Sequence, residues 1–79
     1  MLVYIIDIME IKRIANEIKK NCEYWSAFGE YTTVFTGEKT IYPNDIAKIN
    51  IIFKKHNVEI NSIGIDMLGY IYIDLVKIP

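Results

Sequence analysis

The sequence predicts an α+β, ferredoxin-like sandwich: two helices cover one face of an antiparallel sheet, and residues 1–79 form a single domain. Three observations carry this. Two stretches place apolar residues at helical spacing, and five runs are rich in β-branched and aromatic residues. Their order is β-α-β-β-α-β with one more strand at the end. Each β-α-β passage crosses over right-handedly, which brings both helices to the same side of the sheet.

Residues 2–6 are a continuous β-branched and aromatic run that reads as a buried strand. Asp7 follows, with Glu10 three residues on. That is a capping-box arrangement, in which Asp7 accepts from early helix amides and Glu10 reaches back. Ile8, Ile11, Ala15, Ile18, Cys22 and Trp25 then recur at alternating spacings of three and four, one stripe of an amphipathic helix ending near Tyr24. Residues 31–36 and 39–42 are β-prone and meet at Gly37-Glu38, a pair suited to a type II′ hairpin that sets Val34 opposite Ile41. Pro43-Asn44-Asp45 opens a second helix with Asn44 as its cap, and Ile46, Ile49, Ile52, Phe53 and His56 share one side. Asn57 suits a left-handed stop. In the strand over residues 58–65 the apolar parity changes between Ile60 and Ile63, which predicts a bulge at Asn61-Ser62. Asp66-Met67-Leu68-Gly69 is a turn. The final strand places Ile71, Ile73 and Leu75 on one face and Tyr70, Tyr72 and Asp74 on the other.

Composition excludes several classes. Charged residues at 24% against 52% hydrophobic rule out a disordered tail. A single cysteine rules out a disulfide framework and a cysteine-rich zinc site, and suits a reducing compartment. No apolar run approaches a membrane span, and the opening residues lack the basic flank and cleavage site of a signal peptide. The expected location is the cytoplasm. A net charge of −1 argues against non-specific nucleic-acid binding, which needs a basic surface. Isoleucine greatly outnumbers leucine and glutamine is missing, the mark of an AT-rich genome such as that of a bacterium, an archaeon or one of their viruses.

No Gly-rich phosphate loop or metal-ligand spacing occurs. His56 is the only histidine and reads as a helix-end residue, while Cys22 lies on the apolar stripe as a core thiol. The aromatic residues carry the functional argument. Tyr24, Trp25, Phe28 and Tyr31 fall within eight residues, and Tyr70 and Tyr72 line the polar side of the last strand. Trp25 and Phe28 as core, with the tyrosines as ordinary strand surface, is the plain alternative. As a contact patch they offer large rigid area at low entropy cost. Asp66 and Asp74 flank Tyr70 and Tyr72 where nucleic acid would want Lys and Arg, so a protein partner is favoured over nucleic acid. The expected function is a small non-catalytic binding protein without a cofactor. It acts as a homodimer on another protein, as a regulator or an inhibitor of the anti-defence kind that a mobile element or virus encodes.

Two families are similar in short motifs. Val3-Tyr4-Ile5-Ile6-Asp7 and Thr33-Val34-Phe35-Thr36-Gly37-Glu38 resemble the opening strand and the Ser-Val-Phe-Glu-Gly strand of the small CRISPR-associated endoribonucleases and their VapD-type relatives. The resemblance implies that Asp7 from each of two subunits holds magnesium or manganese for phosphodiester cleavage. It also implies that late strands cross between subunits. The stretch between Gly29 and Val34 is short for the family and lacks its basic and amide residues, and Arg13 is the only arginine. The second similarity is to ACT-type amino-acid-sensing modules, through Pro43-Asn44-Asp45-Ile46-Ala47-Lys48-Ile49 with Phe53 and Asn57-Val58-Glu59-Ile60, and it implies small-ligand sensing.

Assembly follows from the last strand. A long alternating strand with an unpaired edge invites association, and in so short a chain the hydrophobic gain and the ordering cost nearly cancel. The expectation is that residues 70–78 pair with, or pack against, their copy in a second chain, giving a two-fold dimer. The alternative is an intramolecular hairpin with residues 58–65.

Overall fold

The computed structural model describes residues 6–78. The elements are α1 (Ile8–Asn21), β1 (Phe28–Glu30), β2 (Thr33–Phe35), α2 (Pro43–Lys55), β3 (Val58–Ile65) and β4 (Ile71–Lys77). The four strands form one antiparallel sheet in the order β1-β2-β4-β3. Gly29, Val34, Ile73 and Ile63 are successive cross-strand partners on the face that both helices cover. The class is therefore α+β, with two helices on an antiparallel sheet. The expected opening strand over residues 2–6 falls outside the described residues apart from Ile6, which is buried. A ferredoxin-like order is not shown by these strands: β4, rather than an opening strand, lies beside β2.

Helix starts and stops obey local chemistry. Asp7 caps α1, its carboxylate accepting from the Met9 N–H at 2.7 Å. Glu10 does not reach back as a capping box would and instead pairs with Lys77 at the end of β4. The helix ends at Asn21, short of Tyr24, because the next residues serve the sheet: Ser26 donates its N–H to the Thr36 carbonyl, which a continued helix would prevent. Cys22 and Trp25 still reach the core. α2 is opened by Pro43 at its first position, with Tyr42 rather than Asn44 as the cap residue and no side-chain cap bond. It stops at Asn57, left-handed at φ 54° as its short polar side chain allows.

The first hairpin forms one step earlier than Gly37-Glu38. β1 and β2 pair about Tyr31 and Thr32, with Tyr31 itself at φ 55°. Val34 accordingly faces Gly29 and Ile73 instead of Ile41, and residues 39–42 form no strand. The cause is a knot of bonds around the buried Thr36. Its Oγ1 donates to the Ile71 carbonyl at 2.9 Å and accepts from the Glu38 N–H at 3.1 Å, while the Ile71 N–H donates to the Glu38 carbonyl. The chain after β2 is thereby bound to the start of β4 and is not free to fold back.

β3 and β4 form the long hairpin, closed by Asp66, whose carboxylate accepts from the Leu68 and Tyr70 N–H groups, and by Gly69 at φ 89°. The register shifts between Ile60 and Ser62, the bulge that the parity change predicted. β4 is a central strand, paired with β3 along its length and with β2 over Tyr72–Asp74, so it is not the open sheet edge that the expected pairing of residues 70–78 with a second chain supposed. The core gathers Ile11, Ile14 and Ile18 of α1, Ile49, Ile52 and Phe53 of α2, and Val34, Ile73 and Leu75 of the sheet.

A Cβ on Gly29 would stand 2.6 Å from the Ile11 carbonyl oxygen, backbone that the helix cannot move cheaply. Gly29→Ala should cost about 1–3 kcal/mol in urea unfolding, the usual penalty of overpacking. The two helices are also tied by Glu17, whose Oε1 lies 2.9 Å from His56 Nε2, with Lys55 Nζ at 3.3 Å. The His56 hydrogen bond, aided by Lys55 and opposed by burial, holds Glu17 below its ordinary value of 4.5. A lowered carboxylate stabilises the fold above its unfolded value, and that stability is lost as pH falls through the folded one. The advantage of the native chain over Glu17→Gln should be full near pH 6 and shrink progressively below about 4.5.

Candidate functional site

Side chains alternate across a strand, so the face away from the helices follows directly from the register. Phe28 pairs with Phe35, Phe35 with Tyr72, and Tyr72 with Gly64, one row that crosses all four strands. The Phe28 and Phe35 rings stack at 4.9 Å and 11°, and Phe35 and Tyr72 sit tilted at 6.1 Å. Gly64 completes the row by absence: the space of its missing Cβ is taken by the end of the Tyr72 ring. Phe28 remains 54% exposed, and neither helix packs on this face.

The neighbouring row is polar. Glu30, Thr33, Asp74 and Ser62 are successive partners across the same strands. Asp74 Oδ1 accepts from Thr32 Oγ1 at 2.9 Å and Thr33 Oγ1 at 3.2 Å, and its Oδ2 from Asn61 Nδ2 at 3.3 Å. These bonds fix the carboxylate's orientation and leave its charge uncompensated by Lys or Arg. The open face thus combines a flat apolar strip with a fixed acceptor. Such an arrangement can offer contact area and can accept from a cation or N–H donors.

The structure divides the expected patch. Phe28 and Tyr72 are together in the row, while Tyr70 precedes β4 with Lys39 lying 5.1 Å from its ring centroid. Tyr31 is 76% exposed at the tip of the β1-β2 turn. Tyr24 packs on Tyr42 at 4.8 Å, beside the start of α2 and apart from the row. Trp25 is buried and belongs to the core, as the plain alternative for it holds. Phe35 enters the site unannounced. The outward half of the alternation around Val34 is its signal, legible only once the hairpin register is known.

The chemical candidates have structural partners. Asp7 is engaged as the cap of α1 and shares a shallow cleft with Glu10, Arg13 and His56. Among the described residues no three of His, Cys, Asp and Glu stand where they could hold a metal ion together. The paired-Asp7 arrangement draws its second carboxylate from another subunit. Burial, with Asp45 nearby and only Lys48 opposing, pushes the Cys22 thiol up, which keeps it protonated and unreactive.

Compared with protein-family models, with curated proteins and with solved structures, the chain matches none.

Asp7 yields a direct test. Asp7→Ala should lower stability by about 1 kcal/mol, the worth of an N-cap, whereas Asp7→Asn should leave thermal unfolding nearly unchanged because Asn caps equally well. An equal loss in both variants would show that the carboxylate charge, and not the cap, matters there.

Proposed function

We propose that the protein is a non-catalytic binding protein whose open sheet face engages another protein, acting as a regulator or inhibitor. The observation that carries this reading is the Phe28-Phe35-Tyr72 row, with Phe28 exposed and Phe35 and Tyr72 half-buried, beside Asp74 and Glu30 on the face away from both helices. Three aromatic rings packed in one row, two of them stacked, lose little entropy on binding and present the residue types that dominate contact energies. An acidic neighbour row favours a partner surface that offers Arg or Lys around an apolar centre. Nucleic acid would stack on the same rings, but its phosphates want cations where this face has carboxylates.

Size and composition support the same reading. Among the described residues of this 79-residue chain, one sheet face is spent on the core and the other is left for contact. The isoleucine-heavy composition supports an AT-rich source, and an anti-defence inhibitor from a mobile element or virus is the specific form of the proposal. A single cysteine, free and buried, suits the reducing cytoplasm, and this mode of binding needs no cofactor.

Immobilised protein incubated with host lysate should retain a defined protein after nuclease treatment. Phe28→Ala with Tyr72→Ala should reduce that retention at least about tenfold, the loss expected of central aromatic contacts, with an unchanged circular dichroism spectrum. Equal retention by the double variant, or retention that disappears with nuclease, would sink the proposal, the latter in favour of nucleic acid.

A further inference from the structure

β3 ends the sheet, and among the described residues its outer edge has no partner strand. Whereas every second residue of β4 is buried, only Val58 of β3 is. The remainder of the strand carries few of the devices that keep an edge solitary: residues 58–65 include no Lys, Arg or Pro, and only Glu59 and the bulge near Asn61, which does not end the pairing with β4, act in that sense.

The bulge also sorts the side chains. Val58, Ile60, Ile63 and Ile65 lie opposite Lys77, Leu75, Ile73 and Ile71, all on the helix side of the sheet. α2 buries only the first of them fully. Ile60, Ile63 and Ile65 are left 41%, 50% and 68% exposed. Ile41 and Ile46 continue the same surface across an apolar cleft of about 70 Å³ between α2 and β3.

We infer that β3 is a self-association edge: two copies join antiparallel about a two-fold axis between Asn61 and Ser62, making one eight-stranded sheet. The residue series is self-complementary in that register. Ile60 meets the second copy's Ile63, and Val58 meets its Ile65. Glu59 meets Gly64, so the strand's only charges are never opposite one another. Asn61 meets Ser62, and the two bulges coincide at the axis, so the parity switch falls at the same place in both strands. Sliding the register by two residues sets Ile60 against Asn61 in one direction and Ile63 against Ser62 in the other, forcing apolar side chains against polar ones. The five exposed isoleucines and the strand edge bring several hundred Å² per chain to the contact, on the scale of the roughly 800 Å² per partner that a stable dimer buries. A foreign strand would need to reproduce this pattern by chance; a second copy carries it by symmetry.

This surface is separate from the open-face aromatic row, so the two proposals fail independently. Sedimentation equilibrium of the full chain at micromolar concentration should give twice the 9.2 kDa chain mass. Ile63→Lys with Ile65→Lys, both at exposed positions, should weaken association at least tenfold with the fold retained. Ser62→Cys places two thiols beside the axis, within the roughly 4.4–6.8 Å Cα separation of a disulfide, and oxidation should then yield a covalent dimer. A chain monomeric throughout this range overturns the inference. So does a dimer indifferent to the two lysines and left unlinked when the Ser62→Cys variant is oxidised, or one dispersed instead by Phe28→Ala with Tyr72→Ala.

Discussion

β4 is hydrogen-bonded along both of its edges, to β2 on one side and β3 on the other, and every other relation in the molecule is measured from it. Ile73 and Leu75 supply the floor on which α1 and α2 rest, while Ile71 is buried at the end of the strand bound to Thr36 and Glu38. Tyr72 and Asp74, pointing the opposite way, supply the centre of both rows on the open face. One strand with a clean alternation therefore builds the core and the contact surface together. A one-residue slip of its register would exchange the two and bury an aspartate in the core.

The chain reaches this arrangement because Thr36 prevents the alternative. A buried hydroxyl must find partners, and this one finds the Ile71 carbonyl and the Glu38 amide. That choice ends β2, holds Gly37 at φ 73° and turns residues 39–42 into a connection toward α2. At the other end of the molecule Glu10 with Lys77 and Glu17 with His56 and Lys55 tie α1 to β4 and α2. Partly exposed ion pairs of this kind add little energy individually.

The two surfaces argued to make contacts differ in kind. The open face is aromatic and acidic, with a rigid geometry that suits a specific foreign partner. The β3 edge is aliphatic and nearly uncharged, and its residue series complements itself. A dimer joined there would carry two open faces side by side in one continuous sheet. Each face would present the same aromatic row, which raises the effective concentration of a repeated or dimeric partner.

Much of the fold was legible where chemistry is local. Asp7 as a cap, Asn57 as a left-handed stop, the Asp66-Gly69 turn, the bulge near Asn61 and the alternation of the last strand each depend on residues within one turn or one strand. The candidate site was half legible: the sequence singled out Phe28 and Tyr72, which share the open-face row, while it passed over Phe35 and Trp25 belongs to the core. The sequence by itself determined the α+β class, both helices and which side chains each long strand presents together. Tertiary structure alone decided that the first hairpin turns at Tyr31, that β4 takes the centre of the sheet and that β3 is left at its edge. Periodicity records the two faces of a strand but not its neighbours, and neighbours are chosen by bonds such as Thr36 to Ile71, between residues far apart in the chain.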